Sequence, residues 1–386
     1  MRIAMNLGLT SEQELLRKTV REFAENEIAP VIQELDEKEK FSYDLTHKMG
    51  HLGFFGITVP TEYDGLGMDY LSYIIAVEEL ARIDGSQAAT VAAAISLGIG
   101  PIYQFGNEKQ KSKYLPALCT GHKLWGFGLT EPNAGSDAGG TQTKAVLEKH
   151  HWIINGSKTF ITNASTKITW GSTVQAVTGS GSHGKKEYSC ILVENGTPGF
   201  ECRPMHKKMV WRSSNTSELF FDHVHVPEEN LLGERGEGFK QMLSTLDSGR
   251  LSIAAMGVGG AQGAFEKALK YAGQRVQFGM PIIKFQATEF KLADMATEIE
   301  AARALLYKAC YLKDSGKPFR KEAAMAKLFA SEMMGRVVDQ AVQIFGGYGL
   351  MEEYGIARFY RDQKLLDIGE GTSEIQRLVI SRLIGC

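Results

Sequence analysis

The chain has 386 residues, 43% hydrophobic and 23% charged, with a formal net charge of −2. That length exceeds one simple core and implies two or three domains, while the near-balanced charge and the lack of a dense Lys/Arg tract exclude a general nucleic-acid binder. No apolar run in the sequence approaches the ~20 residues that span a bilayer.

Cys119, Cys190, Cys202, Cys310 and Cys386 are scattered and form no CxxC pair. They read as reduced thiols, not as a disulfide framework or zinc site. Met1 to Asn6 carry no signal-peptide core and no Arg/Ser-rich presequence, so a bacterial cytoplasm is expected, with a mature organellar protein as the alternative.

Thr10 and Gln13 form a capping box ahead of Leu16, Val20 and Phe23, which recur at helical spacing; Pro30 ends or bends that helix. Phe54 to Asp69 is Gly- and Pro-rich and reads as a loop. Tyr70 to Ile83 is a second helix, with Ile74, Val77 and Leu80 three apart. Ala88 to Ile102 is alanine-rich and nearly uncharged, a helix to be buried in a core or against a ligand. Asn107 to Leu118 is a basic amphipathic helix.

From Trp125 the period changes to short apolar runs separated by turn signals. Strands are expected at Trp152–Ile154, running into an Asn155-Gly156 turn, at Val174–Val177, at Tyr188–Val193 and at Leu219–Val226 up to Pro227. Gly179 to Gly184 is a loop tip, and Asn195 to Gly199 a turn. The spacing suggests a small antiparallel barrel or sandwich, and helices, then strands, then helices make an α+β chain. His223 and His225 share a strand face and His150-His151 lie in a turn; no third ligand converges on them, so surface histidines are expected. Trp125 to Asp137 ends in small, hydroxyl-bearing and turn-forming residues that offer donors to an electron-rich ligand. Phe160 and Thr162 alternate onto one face, an aromatic beside a hydroxyl.

Beyond Gly238 the pattern is helical again. Leu292, Met295, Ile299, Ala302 and Leu306 form one stripe; Ala324, Leu328 and Met333 belong to another helix. Gly257 to Gly263 superficially matches a dinucleotide fingerprint, but no strand precedes it, and its small residues fit close helix–helix approach. Last comes Asp367 to Arg377. There Gly369 and Gly371 bracket Glu370, and Thr372 or Ser373 caps a helix carrying Ile375, Leu378, Val379 and Leu383. Alone, this stretch reads first as a glycine-rich turn with a solvated glutamate.

Six segments in order, FGLTEPNAGSD, WIINGSKTFITNA, VPEENLLGERGEGF, RVQFGMPIIKFQ, QIFGGYG and IGEGTSEIQR, make essentially the whole chain resemble the acyl-CoA dehydrogenases. The resemblance implies an N-terminal all-α domain (1–124), a middle β domain (125–235) and a C-terminal four-helix bundle (236–386). It implies FAD, its ring against Phe127, Leu129, Thr130, Phe160 and Thr162; Phe160 stands where many members carry Trp. Gly135 and Ser136, with Gln286, Thr372 and Glu374, are further candidate cofactor residues. Arg275, Gln277, Phe278, Gln343 and Gly347 match residues that hold the pyrophosphate and adenine end, contributed in the family by a different subunit from the ring contacts. A homotetramer, or at least a dimer, is therefore expected, with electron-transferring flavoprotein as the acceptor.

By the same resemblance, Glu370 removes the Cα proton of an acyl-CoA thioester while a hydride leaves Cβ for the flavin. Its own N–H, with a ribityl hydroxyl, holds the thioester oxygen. The family's other base position falls on Gly249, before Arg250, so Glu370 alone is available. Asp247, Arg250 and Ser136 match substrate contacts, beside Gly369 and Gly371. Gly369 replaces a Tyr common in straight-chain members, which widens the pocket toward a compact short, branched or alicyclic acyl group such as cyclohexane-carboxyl-CoA. An acyl-CoA oxidase, a non-catalytic helical assembly protein on the same fold, and a glutaryl-CoA-type decarboxylating enzyme are the alternatives.

Overall fold

The computed structural model describes residues 8–180 and 184–386. The N-terminal hexapeptide and the tip of the 179–184 loop lie outside the described residues. Seven helices come first: α1 (Ser11–Phe23), α2 (Ile32–Glu37), α3 (Tyr43–His51), α4 (Tyr70–Ala81), α5 (Gly85–Ala93), α6 (Gly100–Phe105) and α7 (Glu108–Cys119). Capping boxes open both α1, at Thr10 and Gln13, and α7, at Asn107 and Gln110. A cap of this kind is worth about 1 kcal/mol. The wound segment Ala94–Ile99 joins α5 to α6, so Gly85 to Phe105 is one continuous apolar helix. It is long and apolar enough to cross a bilayer, but 67% of its apolar 18-residue stretch is buried inside the fold, as a core helix is.

The middle of the chain is one eight-stranded sheet built from β1 (Leu124–Gly128), β2 (Lys144–Glu148), β3 (His151–Thr162), β4 (Thr169–Ser180), β5 (Lys186–Glu194), β6 (Phe200–Pro204), β7 (Thr216–Pro227) and β8 (Leu231–Leu232). The order is β6-β7-β3-β2-β4-β5-β8, with β1 on β4. Two expectations are corrected here. The sheet does not close into a barrel, because β6 and the two-residue β8 end it as edges. Nor is it purely antiparallel: β1 and β2 both run parallel to β4.

The expected Asn155-Gly156 turn is also absent. The strand runs on through a bulge, with Gly156 at φ +144°, where a Cβ would lie 2.6 Å from Thr143 Oγ1. The reversal comes earlier, at Lys149 and His150, both with positive φ. His150, His151, His223 and His225 are exposed, and no metal-binding group occurs among the described residues.

The last third holds α8 (Gly238–Gln274), a short hairpin β9 (Val276–Gln277) and β10 (Met280–Pro281), α9 (Gln286–Asp314), α10 (Arg320–Phe345), α11 (Ile356–Ile368) and α12 (Ser373–Ile384). The α9 stripe from Leu292 to Leu306 is buried as its spacing predicts; on α10, Ala324 and Met333 are buried and Leu328 only partly. The glycines of α8 do bring helices together. A Cβ on Gly259 would meet Glu78 O at 2.1 Å, and one on Gly263 would meet Arg82 O at 1.9 Å. At such contacts any side chain forces backbones apart. As a result one hydrophobic core joins the N-terminal helices to the C-terminal ones, from Leu16 to Leu366. The apolar side of α12 is not part of it: Leu378, Leu383 and Ile384 are exposed.

Candidate active site

Helix α11 ends at Gly369, whose N–H reaches back to Leu365 O at 2.7 Å. Helix α12 begins at Thr372, whose hydroxyl accepts the Ile375 N–H. The link between the helices is so short that two successive residues turn left-handed, Glu370 at φ +52° and Gly371 at φ +93°. Glycine takes that conformation freely; glutamate does so at a cost of about 1–3 kcal/mol, a cost concentrated at functional sites. Gln376 donates to the carbonyls of Glu370 (3.2 Å) and Gly371 (2.8 Å), and Lys327 donates to the Gly371 carbonyl at 2.8 Å.

This turn aims the Glu370 side chain at α8, into the space Gly249 leaves open. Its Oε2 is shielded from solvent and has no hydrogen-bond partner. Burial pushes the carboxyl up to about 7, against the opposing charges of Lys327 and then Arg250. Among the described residues the Glu370 N–H donates to no protein acceptor. A free basic oxygen and a free N–H thus come from one residue, the pair needed to take a proton beside a carbonyl and hold the oxygen that gains charge.

Asp247 and Arg250 line the same part of α8. Arg250 is buried and donates to Asp247 at 2.5 Å, and Arg320 Nε lies 3.4 Å from the same carboxylate. From α4, Tyr70 donates to Ser248 O, and Tyr73 donates to Ala92 O in the alanine-rich helix. The structure thus brings Asp247, Gly249, Arg250, Gly369, Glu370 and Gly371 together.

A second group sits on the sheet. Phe127 and Leu129 are buried at the end of β1, and Thr130 is half-buried. In β3 a bulge between Lys158 and Ile161, with Phe160 at φ +59°, buries Ile161 and turns Phe160 and Thr162 outward. Phe160 is 65% exposed, a bare ring held out at a strained position. Gly135 and Ser136 lie in an exposed loop. Beneath them sits a buried ion pair that sequence reasoning missed. Lys158 Nζ lies 2.8 Å from Glu131 and also donates to Leu129 O, while Glu131 accepts the N–H groups of Gln142 and Thr143. Burial raises the Glu131 carboxyl, but Lys158 and these donors more than offset that and hold it below the usual carboxylate range. A lysine inside an apolar strand was the available signal.

The third group lies elsewhere. Arg275, Gln277 and Gly347 line a cleft of about 550 Å³ with Tyr271, Tyr348 and Glu353. Phe127, Leu129, Thr130, Phe160 and Thr162 do not line it, and neither does Gln343, which is exposed. Arg275 makes no ion pair among the described residues, and its guanidinium lies 5.5 Å from the Tyr348 ring centre. Phe278 is 92% exposed at φ +50°, its ring in a T-shaped arrangement with Phe285 at 6.2 Å between centres. Gln286, Thr372 and Glu374 begin α9 and α12 and are at least partly exposed. A free guanidinium, a glycine wall with open space at Gly346 and Gly347, and uncovered rings suit a large ligand with phosphates and flat ring systems.

Comparison with known proteins bears on that ligand. Residues 10–122, 126–224 and 236–385 match the acyl-CoA dehydrogenase N-terminal, middle and C-terminal domains. The chain is 53% identical, over 98% of its length and 99% of the relative, to a probable acyl-CoA dehydrogenase, YngJ, of Bacillus subtilis. It is 47% identical, over the same shares, to a short-chain specific acyl-CoA dehydrogenase of Clostridium acetobutylicum. Among solved structures, butyryl-CoA dehydrogenase of Megasphaera elsdenii superposes with a TM-score of 0.95 at 46% identity, covering 98% of this chain and 100% of that one. A chain from work on the electron transferring flavoprotein of Acidaminococcus fermentans gives 0.95 at 47%, covering 99% and 100%. An acyl-CoA dehydrogenase of Bacillus anthracis complexed with FAD gives 0.91 at 36%, covering 97% and 68%.

Proposed function

The chain belongs to the acyl-CoA dehydrogenase family, and from that premise we propose that Glu370 is its catalytic base and a short acyl-CoA its substrate. The protein is an FAD-dependent oxidoreductase that dehydrogenates an acyl-CoA thioester. When bound, FAD supplies the acceptor for the hydride that leaves Cβ. Phe127, Leu129, Thr130, Phe160 and Thr162 would hold its ring, and Arg275, Gln277 and Gly347 its phosphate end.

The observation that carries the base assignment is the Glu370 carboxylate itself, with one oxygen buried and unpaired. With its pKa raised to about 7, Glu370 is basic enough to take a Cα proton and remains largely ionised at slightly alkaline pH. Its N–H, with no protein acceptor among the described residues, would hold the thioester oxygen as charge builds there. The two glycines on either side let the backbone come that close.

Two of these relatives are named for short-chain or butyryl-CoA substrates. A short acyl group is therefore the substrate we favour, and the cyclohexane-carboxyl-CoA expectation gains no support. Electron-transferring flavoprotein as the acceptor is in keeping with the neighbour studied with such a protein. A homotetramer is the assembly we favour, with the exposed α12 face and the Phe278 hairpin as surfaces open to another copy.

The test is anaerobic bleaching of the bound flavin by a panel of acyl-CoA thioesters, with wild type and Glu370→Gln side by side. Butyryl-CoA should bleach wild type, and the amide should slow bleaching at least ~100-fold, at the low end for a general base. Bleaching of the amide at the wild-type rate would end the assignment. A preference for long straight chains would end the substrate reading, and rapid peroxide formation without an acceptor protein would move the chain to the oxidases.

A further inference from the structure

Behind the base loop lies Lys327 of α10, fully buried in the run Ala323 to Ala330. Its Nζ donates to the Gly371 carbonyl at 2.8 Å, and that is its one acceptor among the described residues. An ammonium has three donors and is costly to bury without opposing charge. Across the turn sits the converse case, the buried Glu370 Oε2 with no donor. No ion pair within 4.0 Å joins the two groups among the described residues, yet each is the largest charge influence on the other.

That separation has a chemical meaning. A direct salt bridge would occupy the carboxylate lone pairs and weaken it as a base. A charge held one loop away compensates the buried carboxylate and leaves its oxygen free for a proton.

We propose that Lys327 is a positioning residue for the reaction: through the Gly371 carbonyl it fixes the left-handed turn, and it stations one positive charge behind Glu370 without engaging it. The proposal rests on the reading of Glu370 as the base. The other charged and titratable groups acting on this pair are Arg250 from α8, itself bonded to Asp247, Tyr70 and Tyr73 from α4, Asp367 at the end of α11 and Glu332 from α10; burial lowers Lys327 itself to about 8, so it carries its charge below that pH. Of the two cations, Lys327 alone also bonds the loop backbone.

The test uses the full-length, FAD-loaded protein and butyryl-CoA, with flavin bleaching followed from pH 6 to 9.5, values that bracket ~7. Removing the positive charge makes the carboxylate harder to ionise. Lys327→Met should therefore bleach about tenfold more slowly near pH 6.5 and recover to within about threefold near pH 9, with KM little changed. Lys327→Arg should restore the wild-type profile. If Lys327→Met does not fold, Lys327→Gln, which keeps a donor but no charge, carries the same measurement.

A readout without turnover is the infrared band of the protonated Glu370 carboxyl, assigned by its loss in Glu370→Gln. The band should persist to higher pH in the uncharged variants. If Glu370→Gln is inactive while neither band nor pH profile moves in Lys327→Met or Lys327→Gln, Lys327 is only structural and the proposal falls. If Glu370→Gln bleaches normally, the base assignment falls first.

Discussion

Gly249 and Glu370 share one space: a Cβ on Gly249 would lie 1.8 Å from Glu370 Oε2 and 2.7 Å from its carboxyl carbon. The atom that would have to yield is the end of a flexible side chain, so the cost falls on Glu370, the base we propose, and spares the fold. Gly249→Ala should therefore fold and keep its FAD, with a thermal midpoint close to wild type. Its flavin reduction should drop by roughly 100-fold, the penalty for misplacing a catalytic group by about 1 Å. Stopped-flow bleaching beside a thermal melt checks both halves.

Gly369 sits at φ −65°, ψ 149°, a conformation open to every residue type. A Cβ there would touch Leu365 Cδ2 at 3.1 Å, a side-chain tip able to move. Gly369→Tyr should therefore be tolerated and narrow the space beside the base. Butyryl-CoA turnover should survive while 2-methyl-branched substrates lose at least ~10-fold in kcat/KM, the scale of a methyl-sized clash. An unchanged ratio between the two substrates would show that position 369 does not set pocket width.

Asp362 predicts a pH effect on stability, remote from the base. It accepts the Trp211 N–H at 2.8 Å in a buried spot, tying α11 to the loop before β7. Burial, and then the neighbouring Asp84, push its carboxyl up to about 7. A raised carboxyl favours the fold most below its unfolded value near 4, and that contribution is lost as pH rises through 7. Asp362→Asn keeps a neutral acceptor at every pH. Relative to it, wild type should lose on the order of 2–4 kcal/mol of stability between pH 4 and pH 8. Denaturant titrations at the two pH values measure the difference.

Arg275 has no acidic partner within the described chain, so its removal should cost little in folding. Arg275→Ala should weaken FAD binding by about 10–100-fold, as loss of a charged hydrogen-bond donor of ~1.5–3 kcal/mol would. Flavin retained through gel filtration, and refolded apoprotein titrated with FAD, report it. Undiminished retention would remove Arg275 from the phosphate set.

Much of this was legible from local patterns. Thr10 with Gln13, the α9 stripe and the Thr372 cap each announce their helix because a short-range rule decides them. The Asn155-Gly156 turn misled because the same pair also serves a bulge, and only the approach of Thr143 makes the glycine necessary. The open sheet could not be foreseen, since closure depends on which strands pair, and no single strand encodes that. At the site, Glu370 stood out between its glycines and through the resemblance it carries. Lys327 did not, because a lysine in an alanine-rich helix looks like a solvated face until the packing around it is known. Leu378 and Leu383 misled in the opposite sense: apolar spacing marks a face that wants cover without saying that the cover belongs to the same chain.

The left-handed backbone at Glu370 carries a consequence for anyone who engineers this protein. A glycine there would relieve the strained dihedral and also remove a carboxylate that dislikes its dry surroundings, so, on the reading of Glu370 as the base, the hardier sequence is the inactive one. Selection for heat tolerance without a screen for turnover would reach position 370 early and trade the working enzyme for a sturdier, idle one.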